Sequence, residues 1–191
     1  MRIVLLGAPG CGKGTQATFL VEQLNVPHIS TGVVLRSAIK AGTELGRQAK
    51  VVMDRGELVS DDIMLRLIEE RLSQDDAKAG FILDGYPRNM AQAEALDDLL
   101  TRLDKPLDEA LQIDVNIEMA IKRIARRASE EGRSDDNEDI ARNRMRVYSV
   151  QTAPVVDFYA DQGVLSRVLG DGSKQEVFQR IMGVLQIRSD S

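Results

Sequence analysis

The chain has 191 residues, 43% of them hydrophobic and 29% charged, enough to bury one sizeable core carrying small insertions. Its 25 basic and 30 acidic residues leave a net charge of −5, which argues against a general nucleic-acid or membrane binder. A single cysteine, Cys11, excludes an intramolecular disulfide and a multi-cysteine zinc site.

Residues 3–6, Ile-Val-Leu-Leu, read as a buried strand that stops at Gly7. That run is too short for a secretory signal, and no stretch approaches the roughly 20 apolar residues that span a bilayer. A cytoplasmic globular protein is therefore expected. From Lys13, the apolar residues Ala17, Leu20, Val21 and Leu24 recur at helical spacing. Further short strands are expected at 28–30, 81–83, 110–113 and 164–169. Helical faces are expected through Ala93, Leu96, Leu100 and Leu103, through Ile117, Ile121 and Ile124, and through Val177, Ile181 and Val184. Strands alternating with helices imply right-handed crossovers, hence a three-layer α/β fold around a five-stranded parallel sheet. Residues 31–73 hold helical segments without a strand, and 126–160 hold a polar turn within a long helical stretch containing Pro154. Both read as insertions on the rim of the sheet.

Between the first strand and first helix stands GAPGCGKGT (7–15). A glycine-rich turn in that context reads as a P-loop, whose backbone N–H groups and helix N-terminus surround phosphate oxygens while Lys13 adds a full charge. A strict Walker A places Ser or Thr directly after the lysine; here Gly14 intervenes before Thr15. Cys11 reads as a small residue between glycines, since no base lies near it in sequence. His28, the only histidine, reads as structural. Asp61 and Asp62 after Ser60 read as the capped first turn of a helix.

GAPGCGKGTQ (7–16), ISTG (29–32) with LR (35–36), GFILDGYPR (80–88) with Gln92, and GRSDD (132–136) occur in that order. Together they resemble the adenylate kinases, over essentially the whole chain. The resemblance implies the P-loop NTPase core at 1–30, 74–125 and 145–191, an AMP-binding helical insert at 31–73 and a short lid at 126–144. It implies the reaction ATP + AMP ⇌ 2 ADP in a monomer, with magnesium accompanying ATP. ATP would be held by Gly10, Cys11, Gly12, Lys13, Gly14, Thr15, Arg127 and Gly172, with Arg123 stacked on its adenine. AMP would meet Thr31, Glu57, Val59, Gly85 and Gln92 around its base, with Arg36 and Arg88 clamping its phosphate. Arg133 and Arg144 would serve both nucleotides. Lys13, Arg88, Arg127, Arg133 and Arg144 would be catalytic, and Asp84 would hold magnesium through water. Lys13 and five arginines (Arg36, Arg88, Arg127, Arg133, Arg144) make six cations, against roughly six negative charges on two nucleotides.

Three features depart from the family pattern. Val33 stands where an acidic residue usually follows Ser-Thr-Gly, which implies a competent but weakened magnesium site. Arg126 stands where a glycine is common, and reads as an added surface charge. Only residues 128–132 separate Arg127 from Arg133, which leaves no room for the small β-domain or zinc site of long-lid relatives. Asp135 and Asp136 are expected to pair with lid arginines. Thr31 and Gln92 favour AMP over a pyrimidine monophosphate. A nucleotide-binding module with little turnover, or a simple ATPase, are the other readings.

Overall fold

The structure, a computed structural model, describes residues 1–131 and 136–189. Five strands form one parallel sheet in the order β2-β3-β1-β4-β5: β1 Arg2–Leu6, β2 His28–Ser30, β3 Phe81–Asp84, β4 Glu109–Asp114 and β5 Leu165–Leu169. Parallel strands buried on both faces need near-continuous apolar runs, and β1 and β3 supply them. Register pairs Leu5 of β1 with Asp84 and Leu6 with Gln112. The carboxyl ends of β1, β3 and β4 therefore open onto one edge.

Successive side chains of β1 feed opposite cores, as strand geometry requires. Val4 and Leu6 join a cluster with Phe81, Leu83, Tyr86, Leu96 and Tyr159. Ile3 and Leu5 join another with Ala17, Leu20, Ile82, Leu111 and Ile181. The first cluster is closed by α4 (Asp61–Leu72), α5 (Met90–Arg102) and α8 (Ala153–Asp161). The second is closed by α1 (Lys13–Leu24) and α9 (Lys174–Ser189).

Two helices rise from the rim after β2: α2 (Thr31–Lys40) and α3 (Glu44–Met53). Gly46 lets them meet, because a Cβ there would lie 2.1 Å from the Ala38 carbonyl oxygen. Helix α4, which follows, inserts Met64, Ile68 and Leu72 into the main core.

After β4, α6 (Ile117–Glu131) leads towards the polar turn, and α7 (Glu138–Val147) returns from it. Of the expected face on α6, Ile124 is buried while Ile117 is 57% exposed at the first turn, where the helix has only just left the sheet. Pro154 lies in the first turn of α8, directly after a π-helical turn at Tyr148–Thr152. A proline cannot donate to the carbonyl one turn back and its ring crowds that oxygen; the widened turn accommodates both effects.

Candidate active site

The P-loop leaves β1 at Leu6 and enters α1 at Lys13. It is pressed against neighbouring backbone: a Cβ on Gly10 would lie 2.5 Å from the Ala120 carbonyl oxygen, and its φ is +82°. Only glycine fits both constraints. Gly12, with φ +107°, precedes the helix in the left-handed region. Lys13 Nζ donates to the carbonyls of Gly7 at 2.7 Å and Ala8 at 3.1 Å, and lies 3.6 Å from Cys11 Sγ. Cys11 is 2% exposed and packs against Gly7, as its reading as a small filler residue requires.

Arg123 on α6 ties this loop to the turn after β5. Its guanidinium donates to the Cys11 carbonyl at 3.2 Å and the Gly170 carbonyl at 3.0 Å. Gly172, in that same turn, has φ +105°. The expected ATP residues from Gly10 to Thr15, with Arg123 and Gly172, therefore converge on one end of the sheet.

Asp84 ends β3 beside the first turn of α1, where a Cβ on Gly14 would stand 3.7 Å from its Oδ2. Its side chain is 14% exposed and Oδ2 lies 3.4 Å from His28 Nε2. Desolvation works to raise this carboxyl's pKa, but the His28 imidazole beside it and the charges of Lys13 and Arg88 outweigh it. The net effect holds it below the ordinary value. His28, read from the sequence as structural, thus stands beside the carboxylate expected at magnesium. Among the described residues, no group of three or more His, Cys, Asp or Glu could cage a metal. A lone carboxylate does suit magnesium that keeps its waters.

A second cleft opens between α2, α4 and the β3–α5 turn. It is lined by Thr31, Arg36, Glu57, Val59, Gly85, Arg88, Gln92 and Arg144, together with Gly32, Leu35, Met53, Gly56, Leu58 and Met64. Every described residue expected at AMP is in that lining. Gly85 turns the chain at φ +84°, and its carbonyl accepts from Thr31 Oγ1 at 2.9 Å and Arg88 Nε at 2.7 Å. Gly32 allows Arg36 to lie across the start of α2, since a Cβ there would sit 3.2 Å from both terminal guanidinium nitrogens.

Arginines of α6 and α7 meet on one carboxylate. Arg127 holds Asp136 through two hydrogen bonds, 2.6 and 2.8 Å, and Arg144 reaches the same group at 2.7 Å. The Asp136 side chain is fully buried. Arg133 and Asp135 lie outside the described residues. Arg126 is 72% exposed and pairs one turn on with Glu130, as a surface charge does. Val33 is 53% exposed and is not part of the AMP-cleft lining.

Two side chains next to the cleft make contacts that sequence reading did not expect. Asp61 of α4 accepts from Gln92 Nε2 at 2.7 Å and from Asn89 Nδ2 at 3.0 Å. Asn89 caps α5, accepting from the Gln92 N–H at 2.8 Å. The Asn-x-x-Gln spacing marks that helix start, but no local signal ties Asp61 to it.

A family model described as Adenylate kinase matches residues 5–164. An adenylate kinase of Stenotrophomonas maltophilia is 58% identical over 186 residues, covering 97% of this chain and all of the relative. One of Xanthomonas euvesicatoria pv. vesicatoria is 56% identical over 185 residues, covering 97% and 99%. With a phosphate loop at one end of the sheet, an arginine-lined cleft beside it and similarity along nearly the whole length, the chain belongs to the adenylate kinase family.

Proposed function

We infer that the protein moves the terminal phosphoryl group of ATP to AMP, giving two ADP, and reverses that transfer when ADP accumulates. The observation that carries this reading is a phosphate-loop motif and an arginine-lined cleft in one molecule. The P-loop with Lys13 stands beside a cleft containing Arg36, Arg88 and Arg144. A simple ATPase has no use for the second.

Phosphoryl transfer asks the protein mainly for positioning and fixed charge. The Gly10–Thr15 backbone and Lys13 would hold the ATP phosphates, with Lys13 exchanging its loop carbonyls for phosphate oxygens. Arg36 and Arg88 would hold the AMP phosphate, and Thr31, Gln92 and the backbone at Glu57 and Val59 its base. Arg127, Arg133 and Arg144 would bear on the transferred group, where a planar, permanently charged fork is effective. Arg123, fixed between the P-loop and the Gly170 turn, would lie against the ATP adenine near Gly172. Asp84 would hold magnesium through water, and that ion supplies charge neutralisation at the phosphates. Residues 31–73 and 126–144 would close over the pair of nucleotides and exclude water, which otherwise competes as acceptor. A cytoplasmic monomer completes the reading.

The test is a coupled assay of ADP formation from ATP with AMP, UMP, CMP or GMP offered separately. Turnover is expected with AMP and is abolished by EDTA. Binding of ATP without turnover on any monophosphate would overturn the reading in favour of a binding module.

A further inference from the structure

Gln92 is buried, 2% exposed, yet lines the AMP cleft. Its amide is held at both ends by groups whose polarity is beyond choice. Oε1 accepts the Arg88 backbone N–H at 2.7 Å, and a backbone N–H only donates. Nε2 donates to Asp61 Oδ1 at 2.7 Å, and an ionised carboxylate only accepts. Asn89 closes the circuit. Its Oδ1 takes the Gln92 N–H, leaving Nδ2 to donate to the same Asp61 oxygen at 3.0 Å. Rotating the Gln92 amide by half a turn would set NH2 against N–H and carbonyl against carboxylate. The chemistry of its neighbours thus assigns one orientation.

That orientation matters to a purine. Each end of the amide keeps one unused valence, a lone pair on Oε1 and a hydrogen on Nε2. An adenine offers the complement, a 6-amino donor beside a ring-nitrogen acceptor. A 6-oxopurine places an acceptor where Oε1 needs a donor, and is accommodated only if the amide turns over. We propose that Asp61, which does not line the cleft itself, is a specificity-determining positioning residue. It locks Gln92 in the orientation that accepts 6-aminopurine monophosphates and refuses 6-oxopurine monophosphates. The inference rests on the proposal that Gln92 meets the AMP base.

The consequence is selective. A residue that merely held α4 against α5 would, when replaced, weaken all acceptors together. A lock, when removed, narrows the gap between two bases. In Asp61→Asn the replacement amide can itself turn to accept or donate, so the Nε2 end of Gln92 is released and only the Arg88 N–H still opposes the turned amide.

The experiment measures kcat/KM for AMP and for IMP, each at saturating Mg-ATP, in the native protein, Asp61→Asn, Asp61→Ser and Gln92→Ala. The AMP-to-IMP ratio is expected to fall about tenfold in Asp61→Asn, through a raised KM for AMP and a lowered KM for IMP, with KM for ATP unchanged. Asp61→Ser, which removes the obligate acceptor with a smaller side chain, is expected to narrow the ratio in the same direction and serves if the asparagine variant does not fold. Parallel losses for both nucleotides, or no change in either, would overturn the lock. If Gln92→Ala leaves the AMP parameters untouched, the underlying assignment of Gln92 to the base fails, and the lock with it. If Gln92→Ala raises KM for AMP while both Asp61 variants keep the native ratio, the lock alone fails.

Discussion

Asp136 is fully buried between two guanidinium groups, with Arg127 and Arg144 themselves only 25% and 17% exposed. Removing one partner of a buried ionic group leaves the remaining charges uncompensated, at a cost that mutational work places at 3–5 kcal/mol. Partial access of water to the arginines reduces this. Asp136→Ala is therefore expected to lower stability by about 3 kcal/mol, read from urea unfolding; a change below about 1 kcal/mol would mean that solvent already screens the cluster. Val33 presents the opposite case, an exposed apolar side chain in the first turn of α2, close in sequence to Thr31 and Gly32 of the cleft. Losing an outer partner of a metal site commonly costs 10–100-fold. Val33→Asp should accordingly lower the magnesium concentration that half-saturates turnover by about tenfold. An unchanged magnesium curve would show that no water shell is oriented from this position.

Elements bring the two rim segments into contact. The amide of Asn143 on α7 donates to the Arg55 carbonyl at the end of the α3 turn. Gly56 beside it has φ +70°, and a Cβ there would stand 3.0 Å from Arg144 Cγ and from the Ile140 carbonyl. Gly56→Ala would thus strain the turn by about 1 kcal/mol and push α7 and its Arg144 outward by a few tenths of an ångström. The expected readout is a higher KM for AMP with KM for ATP little changed, because Gly56 and Arg144 line the AMP cleft and no P-loop residue does. Equal changes in both constants would indicate a general loss of packing. Helix α4 sets three buried residues, Met64, Ile68 and Leu72, in the main core, against Leu35 alone from α2 and Ala49 alone from α3, so a closing motion of the rim is expected to involve α2 and α3 more than α4.

At the scale of the whole molecule, the sheet collects charge at the ends of its strands, and acid stability reads that arrangement. Asp84 has a carboxyl held below its ordinary value of 3.8. A depressed folded-state pKa contributes stability that is fully present above the unfolded value and fades as pH falls through the folded one. The difference in unfolding free energy between the native protein and Asp84→Asn should then stay level from pH 7 to about pH 5 and shrink below about pH 4. A difference that grew on acidification would reverse the sign of the shift and remove the carboxylate from its pairing with His28.

Much of this fold was legible because its signals are local. Apolar runs of strand length, helical spacing after Lys13 and the glycines of the P-loop each depend on residues within a few positions of one another. They led to the five-stranded parallel sheet that the structure contains. The motifs that marked the family also identified the cleft lining, from Thr31 and Arg36 to Arg88 and Gln92. Other features had no local signal. Asp61 read as an ordinary helix-start acid, yet its partner Gln92 lies 31 residues away. His28 read as a core residue, and only the alignment of β2 with β3 carries it to Asp84. Asn143 reaches a carbonyl 88 residues earlier. The elements, their alternation and the phosphate loop could be read along the chain, since those follow from short-range sterics and periodicity. Tertiary structure decided which polar group satisfies which, because a buried donor or acceptor must find a partner wherever packing brings one within about 3 Å.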